Sequence, residues 1–253
     1  MSSLAEWNSP AAPVPSAPGS VLERIMAVLD AVKTAPRALT VTDIAAMTGL
    51  PKSTASRLIA DLAERGLLSR TDAGITLGLR LFELGMRAEL PRRLIAAAAP
   101  VIRRLREVTG ERIGVWVHHG SEMVSVVTVP GRVTGLSARV GMRSPLVSTA
   151  SGKAYLAFSA DEALVERVCA PLVPEAAARL RAELSTVRTD VTATDHGDAY
   201  PGVTAVASPV LDARRVVLGA ISVAGPTDGT DAARLAPLVR AAGVSLTRRL
   251  AAA

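Results

Sequence analysis

The hydrophobic pattern of residues 20–77 has a period of three to four positions at first and of two positions at the end. The longer period predicts three helices, which end near Ala35, Gly49 and Gly66. The shorter period, on either side of a turn signal at residues 71–74, predicts a β-hairpin. Three helices followed by a hairpin are the elements of a winged helix-turn-helix.

Capping motifs indicate where these helices begin. Ser20 with Glu23, and Thr40 with Asp43, have the spacing at which two residues exchange hydrogen bonds between side chain and backbone. Pro51 suits the first turn of the third helix, because a backbone N–H has no partner inside the helix there. The three helices are therefore predicted to begin close to these residues.

The third helix is apolar on one side and carries hydrogen-bond donors on the other. The donors crowd its N-terminal half, and carboxylates return only at Asp61 and Glu64. The second helix of a helix-turn-helix presents its N-terminal residues to base edges and phosphates, where donors are needed. The candidate DNA contacts are Lys52, Ser53, Thr54, Ser56 and Arg57. The alternative is an ordinary solvated helix face in an all-helical core.

Arg70 lies at the edge of the predicted hairpin. The hairpin of a winged helix commonly follows the phosphate backbone, so Arg70 is a candidate phosphate contact. An arginine at a sheet edge also serves solubility, and the sequence does not choose between these roles.

Two helices are predicted after the hairpin. The first covers residues 78–91 and is interrupted by Pro91, and the second continues to Thr109 with a continuous apolar side. The first is interpreted as a linker helix between two domains. A partner subunit would cover an apolar side of this kind, and a palindromic DNA site would then match the two-fold axis of a dimer.

The remainder of the chain predicts a domain of a different class. Hairpins are expected around His119-Gly120 and around Asp212-Ala213-Arg214, and TGLSARV at residues 134–140 is expected to be a further strand. Helices are expected at residues 152–158, 160–169, 174–184 and 231–250. Hairpins with helices collected around them predict an α+β domain on an antiparallel sheet.

Composition limits the class of protein. The chain has 253 residues, of which 49% are hydrophobic, and no stretch reaches the roughly eighteen uncharged apolar residues of a membrane span. We therefore expect a soluble, cytoplasmic protein without a membrane partner. One cysteine and three histidines make a structural zinc site or another metal site unexpected. Residues 1–19, rich in Ala, Pro and Ser, are expected to form a disordered leader.

The net charge of +6 does not come from the predicted DNA-binding domain. Of 29 basic and 23 acidic residues, the first ninety positions hold nine of each, so the whole excess falls on residues 91–253. DNA recognition must therefore depend on where a few donors lie rather than on bulk charge.

Catalytic motifs are incomplete. STASGK resembles a phosphate-binding loop, but Val147 and Ala154 stand where glycine and a hydroxyl residue are needed. A Ser-x-x-Lys pair would need serine at Ala150. Lys153 is interpreted as a helix-surface lysine. We expect no catalytic residues and no cofactor.

These segments together resemble the IclR family of bacterial transcriptional regulators. The resemblance rests on the order and spacing of LPKSTASRLIADLAERG, ITLGLRLFELG, VGMRSPLVSTASGKAYLA, GVTAVASPVLD and GAISVAGP. It implies a winged helix at residues 20–77, a linker at 78–91 and a GAF-like effector domain at 92–253. It also implies a homodimer or a dimer of dimers that binds a double-stranded DNA operator. Such a regulator represses or activates genes in response to a small effector, for example an organic acid.

The resemblance also implies an effector pocket. In the family the pocket combines the loop before a helix, two facing strands and an acidic position before the first strand. The matching residues are Ser148, Thr149, Ala150, Ser151, Gly152, Asp195, Val203, Ala205, Ala207 and Ser222. Hydroxyls and free amides at a helix start attract an anionic group, which agrees with this assignment. Tyr200-Pro201 departs from the family pattern.

Two functions follow from the sequence. The first is a DNA-binding transcriptional regulator that is controlled by a small metabolite and is not an enzyme. The alternative is a metabolic enzyme acting on a small organic acid, with the N-terminal helices serving only for assembly.

Overall fold

The computed structural model describes residues 19–131 and 139–252. They form two compact units that divide between Glu89 and Leu90. Almost all of the expected leader, and most of the strand expected at residues 134–140, lie outside the described residues.

The N-terminal unit is the predicted winged helix-turn-helix. Both capping boxes form: the Ser20 and Thr40 hydroxyls accept the amides of Glu23 and Asp43, whose carboxylates accept the return bonds. Gly49 ends the second helix with φ of 68°, in the left-handed region. The elements are α1 Val21–Thr34, α2 Val41–Thr48, α3 Lys52–Glu64, β1 Leu68–Thr71 and β2 Gly74–Leu77.

The core of this unit ties the hairpin to the helices. Ile44 of α2 and Ala55 and Ile59 of α3 are fully buried and belong to the same apolar cluster. Leu39 and Ile75 exchange backbone hydrogen bonds of 3.1 and 2.8 Å, so the loop before α2 pairs with the hairpin. The orientation of α3 is therefore fixed by packing on one face and leaves its opposite face in solvent.

Two proline predictions need correction. Pro51 is the residue before α3 rather than part of its first turn, with φ of −54° and ψ of 137°. The helix expected over residues 78–91 is α4 Leu79–Gly85, which ends well before Pro91. Pro91 lies in the first turn of α5 Glu89–Thr109 and does not interrupt it, because the first amides of a helix have no partner within the helix.

The C-terminal unit has the predicted α+β architecture. One antiparallel sheet has the strand order β5-β4-β3-β8-β7-β6. Its strands are β3 Arg112–His119, β4 Glu122–Val129, β5 Arg143–Pro145, β6 Ala193–His196, β7 Val203–Leu211 and β8 Val217–Pro226. The two short edge strands, β5 and β6, were not predicted. The helices are α5, α6 Ala150–Phe158, α7 Glu162–Cys169, α8 Pro174–Asp190 and α9 Ala232–Ala251.

Helices cover both faces of this sheet. On one face α5 and α9 pack against large aliphatic residues such as Val206, Ile221 and Val223. On the other face α6 lies over small residues, including Ala207 and Ala220. The sheet register pairs Ala205 with Ala224 and Ala207 with Ser222, as the predicted alternation requires. The second face therefore has room for something other than aliphatic packing.

Candidate functional site

The first candidate surface is the exposed face of α3. Lys52, Ser53, Ser56 and Arg57 are exposed and Thr54 is half-buried, while Ala55 and Ile59 on the opposite face are fully buried. None of the five polar side chains forms a hydrogen bond or ion pair with another residue in the part of the chain that the structure describes. Their donors are therefore available to an external acceptor.

Arg70 lies on β1, opposite Ile75 of β2, and its side chain is exposed. It forms no ion pair with any residue within 19–131 and 139–252. The structure therefore leaves its guanidinium free for a phosphate, on a different element from the donors of α3.

The second candidate site is a small cavity in the C-terminal unit, between the α6 face of the sheet and the start of α6. Its volume is about 20 Å³. Seven of the ten residues predicted for the effector pocket line it: Thr149, Ala150, Ser151, Asp195, Val203, Ala205 and Ser222. Residues that are 73 positions apart in sequence thus meet at one place.

Ser148, Gly152 and Ala207 do not line the cavity. Gly152 packs directly on the preceding loop, and a Cβ at this position would lie 1.9 Å from the backbone oxygen of Leu146. Ala207 is fully buried in the apolar cluster beneath α6. Ser148 is half-buried just before the residue that caps α6.

Four further residues line the cavity and were not predicted: Arg112, Trp116, Ser144 and Tyr200. Arg112 and Trp116 lie on β3, whose register pairs them with Ala224 and Ala220 of β8. They therefore share the face of Ser222. The pairing of β3 with β8 joins segments about 105 residues apart, and no local pattern in the sequence indicates it.

Trp116 is held in place by a glycine and a hydroxyl. Its indole Nε1–H donates to Ser222 Oγ at 2.8 Å. A Cβ at Gly114, two residues earlier on the strand, would lie 2.4 Å from that same nitrogen. The indole therefore needs glycine at this position in order to lie along the sheet.

Arg112 places a positive charge beside the cavity. Its side chain is almost completely buried. Burial lowers the pKa of the guanidinium, an effect that nearby Tyr200 partly offsets. An arginine stays protonated in proteins, so the charge is permanent. Burial likewise raises the pKa of the Tyr200 phenol, whose hydroxyl donates to Ser144 Oγ at 3.3 Å.

The start of α6 supplies additional donors. Thr149 caps the helix, because its hydroxyl oxygen accepts the Gly152 amide at 3.1 Å and its O–H donates to the Pro145 carbonyl at 2.6 Å. The amides of Ala150 and Ser151 have no acceptor among the described residues. Together with Arg112, these amides form an environment suited to an anion.

Asp195 lines the cavity and also accepts backbone hydrogen bonds from the segment that follows β6. Its Oδ1 accepts the amides of Gly197 at 3.0 Å and Asp198 at 2.8 Å, which organises the segment that follows β6. Burial raises the pKa of this carboxyl, while the amides of Asp198 and Ala199 and the charge of Lys153 oppose that rise.

The interpretation of Lys153 as a surface residue was wrong. Its side chain is 5% exposed, and its Nζ lies 3.0 Å from Glu183 Oε2 and 3.8 Å from Asp198 Oδ2. The helical pattern of α6 did not reveal this burial, because α8 and the segment after β6 cover the residue from outside the helix.

The described residues contain neither a candidate membrane span nor a candidate metal site. No helix there is long and apolar enough to cross a membrane. Nor do any three His, Cys, Asp or Glu side chains of residues 19–131 and 139–252 lie close enough together to hold a metal ion.

Family models match both units. Residues 21–72 match the IclR helix-turn-helix domain, and residues 90–248 match the model described as bacterial transcriptional regulator IclR C-terminal. The chain is 33% identical over 246 residues to the glycerol operon regulatory protein of Streptomyces griseus, covering 91% of this chain and 96% of that one. It is 30% identical over 232 residues to the HTH-type transcriptional regulator BhcR of Paracoccus denitrificans, covering 86% and 81%.

A solved structure resembles most of the chain. It is an IclR homolog from Microbacterium hydrocarbonoxydans in complex with 4-hydroxybenzoate. The TM-score is 0.83 at 27% identity, and the match covers 92% of this chain and 100% of that one.

Proposed function

The chain belongs to the IclR family of bacterial transcriptional regulators, and we propose that its C-terminal cavity binds a small carboxylate that controls operator binding by α3. In this proposal the donors of α3 read the operator and Arg70 contacts a flanking phosphate. The seven predicted residues that line the cavity, with Arg112, Trp116, Ser144 and Tyr200, contact the effector. Because its ligand is chromosomal DNA, the protein would act in the cytoplasm.

The position and charge of Arg112 carry the choice of a carboxylate. Its protonated guanidinium lines the cavity, and a planar carboxylate can accept two parallel hydrogen bonds from an arginine. Arg112 shares a sheet face with Ser222, and the cavity is also lined by Ala150 and Ser151, whose amides have no acceptor among the described residues. The carboxylate ligand of the Microbacterium homolog supports the same chemical class.

The volume of the cavity indicates how binding would affect the protein. A cavity of about 20 Å³ holds about one water molecule, whereas ligand pockets commonly enclose about 300–1,000 Å³. In this proposal the structure is a closed form of the site. An effector that binds only an expanded form shifts the population toward that form, and it controls operator binding if the two forms bind the operator with different affinity.

Assembly as a homodimer is part of the proposal. None of the seven residues of α4 is buried, and Leu79, Phe82 and Leu84 are 71%, 64% and 58% exposed. On α1, Val21 and Leu22 are 64% and 68% exposed. A short helix with no buried side chain gains almost no stability from packing within its own chain. We therefore infer that a partner subunit covers it. Two copies would present two α3 helices to a palindromic operator. A dimer of dimers is compatible with the same contacts.

The alternative of a metabolic enzyme has less support. The relatives named above are regulators, and the cavity holds no nucleophile paired with a base. We propose that the protein has no catalytic activity. Reproducible turnover of a small acid, abolished by Arg112→Met, would favour the enzyme instead.

Binding of carboxylates can be measured without knowing the operator. We expect at least one acid from a panel of small aliphatic and aromatic carboxylates, including 4-hydroxybenzoate, to raise the melting temperature of the full chain and to give a saturable calorimetric titration. Arg112→Met should abolish this binding, and Arg112→Lys should weaken it about tenfold because lysine cannot bind both oxygens. The matched control is Arg103→Met, which removes an exposed arginine from α5 and should bind as the parent does. Equal binding by Arg112→Met and the parent would contradict the assignment.

A further inference from the structure

Residues 197–202, which we call the gate segment, form one wall of the cavity. The segment begins and ends with glycines in the left-handed region, Gly197 with φ of 93° and Gly202 with φ of 79°. Tyr200 between them lines the cavity. Every other lining residue belongs to a strand or to the capped start of α6. The gate segment is therefore the part of the wall that can move without breaking a sheet or a helix.

Side-chain contacts join the gate segment to the body of the unit. Tyr200 donates to Ser144 Oγ on β5, and Asp198 lies 3.8 Å from Lys153 Nζ on α6. Asp195 also accepts the amides of residues 197–199, and the Gly202 carbonyl accepts the Thr227 amide at 2.9 Å, so both ends of the segment are held by other bonds. Movement of Asp198 and Tyr200 away from α6 and β5 must therefore break their contacts with Lys153 and Ser144.

Lys153 is unusually placed for a lysine. Its side chain is 5% exposed, and it divides its charge between Glu183 on α8 and Asp198 on the gate segment. A buried ammonium needs carboxylate partners, so the lysine attracts the gate segment toward α6. It does not line the cavity itself and would act only through Asp198.

We propose that the gate segment is the entry to the effector cavity and that Lys153 is a positioning residue that keeps it closed through Asp198. The chemical class of the molecule that enters rests on the proposed function, whereas the opening motion of the gate segment does not. Weakening the contact should open the cavity more often and thereby lower the effector concentration needed for a response.

The motion can be measured without an effector and without DNA. The chain contains one cysteine, so Cys169→Ala combined with Ser222→Cys places a single reporter thiol inside the cavity. The probe is methyl methanethiosulfonate, a small reagent that must enter the cavity to react. We expect Lys153→Met and Asp198→Asn each to raise the labelling rate about threefold to tenfold, since a partly exposed ion pair contributes about 1 kcal/mol. Ala205→Cys provides a second reporter if the first variant folds poorly.

Comparing Lys153→Met with Asp198→Asn shows whether the labelling rate changes because the gate segment opens or because a nearby charge alters the thiol. Loss of a positive charge raises a thiol pKa and slows labelling, whereas loss of a negative charge does the opposite. Opposite changes in the two variants would therefore overturn the proposal, and so would no change in either. Glu183→Gln is the matched control, because it removes a carboxylate from the same lysine but not from the gate segment, and its rate should stay within about twofold of the parent.

A separate control tests whether Lys153→Met destabilises the whole C-terminal unit. In chains that keep Cys169 and lack the reporter, this buried thiol reports unfolding of the unit, and its labelling should not change with Lys153→Met. Equal acceleration at Cys169 would overturn the proposal. Faster labelling of the cavity alone, in a protein that binds no acid of the panel, would leave the gate supported and the proposed effector class contradicted.

Discussion

The exposed face of α3 and the cavity beside α6 differ in whether their polar groups form hydrogen bonds with other residues. On α3, five donor side chains point away from a buried core and bond no other described residue. Around the cavity the polar groups bond one another: Trp116 to Ser222, Tyr200 to Ser144, and Asp195 to the gate segment. The proposed DNA-binding face therefore needs no rearrangement of these side chains to accept a ligand, whereas the proposed effector cavity must open. Control of the protein is accordingly expected to depend on the C-terminal unit.

The largest expected effect is a loss of stability at the start of α6. It tests whether Gly152 serves packing or ligand binding. Gly152→Ala would place a Cβ 1.9 Å from the Leu146 oxygen, and the required shift of backbone should lower the free energy of unfolding of the C-terminal unit by about 3 kcal/mol. Chemical denaturation followed by circular dichroism measures this change. Gly229→Ala, where a Cβ meets nothing within 4 Å, is the control and should change stability by less than about 0.5 kcal/mol. If Gly152→Ala were equally stable but bound carboxylates weakly, Gly152 would belong to the effector site after all.

A smaller effect is expected on the α3 face. Arg57→Ala should weaken operator binding by about 1–3 kcal/mol if the arginine contacts a base, with little change in thermal stability because its side chain bonds nothing in the described chain. The operator fragment can be obtained by selection from genomic DNA, and fluorescence anisotropy gives its Kd. Arg214→Ala, which removes an exposed arginine from the turn between β7 and β8, serves as the control. Operator affinity and site preference that are the same for Arg57→Ala and the parent would remove Arg57 from the recognition surface.

These two surfaces also differ in how much of them could be predicted. The proposed recognition face is encoded locally. Two capping boxes, Gly49, and the spacing of Ala55 and Ile59 define it within about forty residues, and the structure has each of these features. Local hydrogen bonds and helix periodicity depend on near neighbours in sequence, so a single sequence contains the information.

The cavity depends on pairings that no local pattern reveals. The alternation of β7 and β8 correctly placed Ala205 and Ser222 on one face, but Arg112 joins them only because β3 pairs with β8. Lys153 was misinterpreted for the same reason, since α8 and the gate segment bury it from outside its own helix. An arginine at the start of a strand was the one available signal, and without the strand order it could not be assigned to a site.

The most direct test of the account measures the coupling between the two surfaces. Operator Kd would be determined by fluorescence anisotropy for the parent, Arg112→Met and Arg103→Met, with and without 4-hydroxybenzoate and the other acids of the panel. The account predicts that at least one acid changes the Kd of the parent by about fivefold or more, which corresponds to a coupling free energy of about 1 kcal/mol. The same acid should change the Kd of Arg103→Met equally and leave that of Arg112→Met unchanged. An equal change in Arg112→Met, or no change with any acid in the parent, would contradict the account.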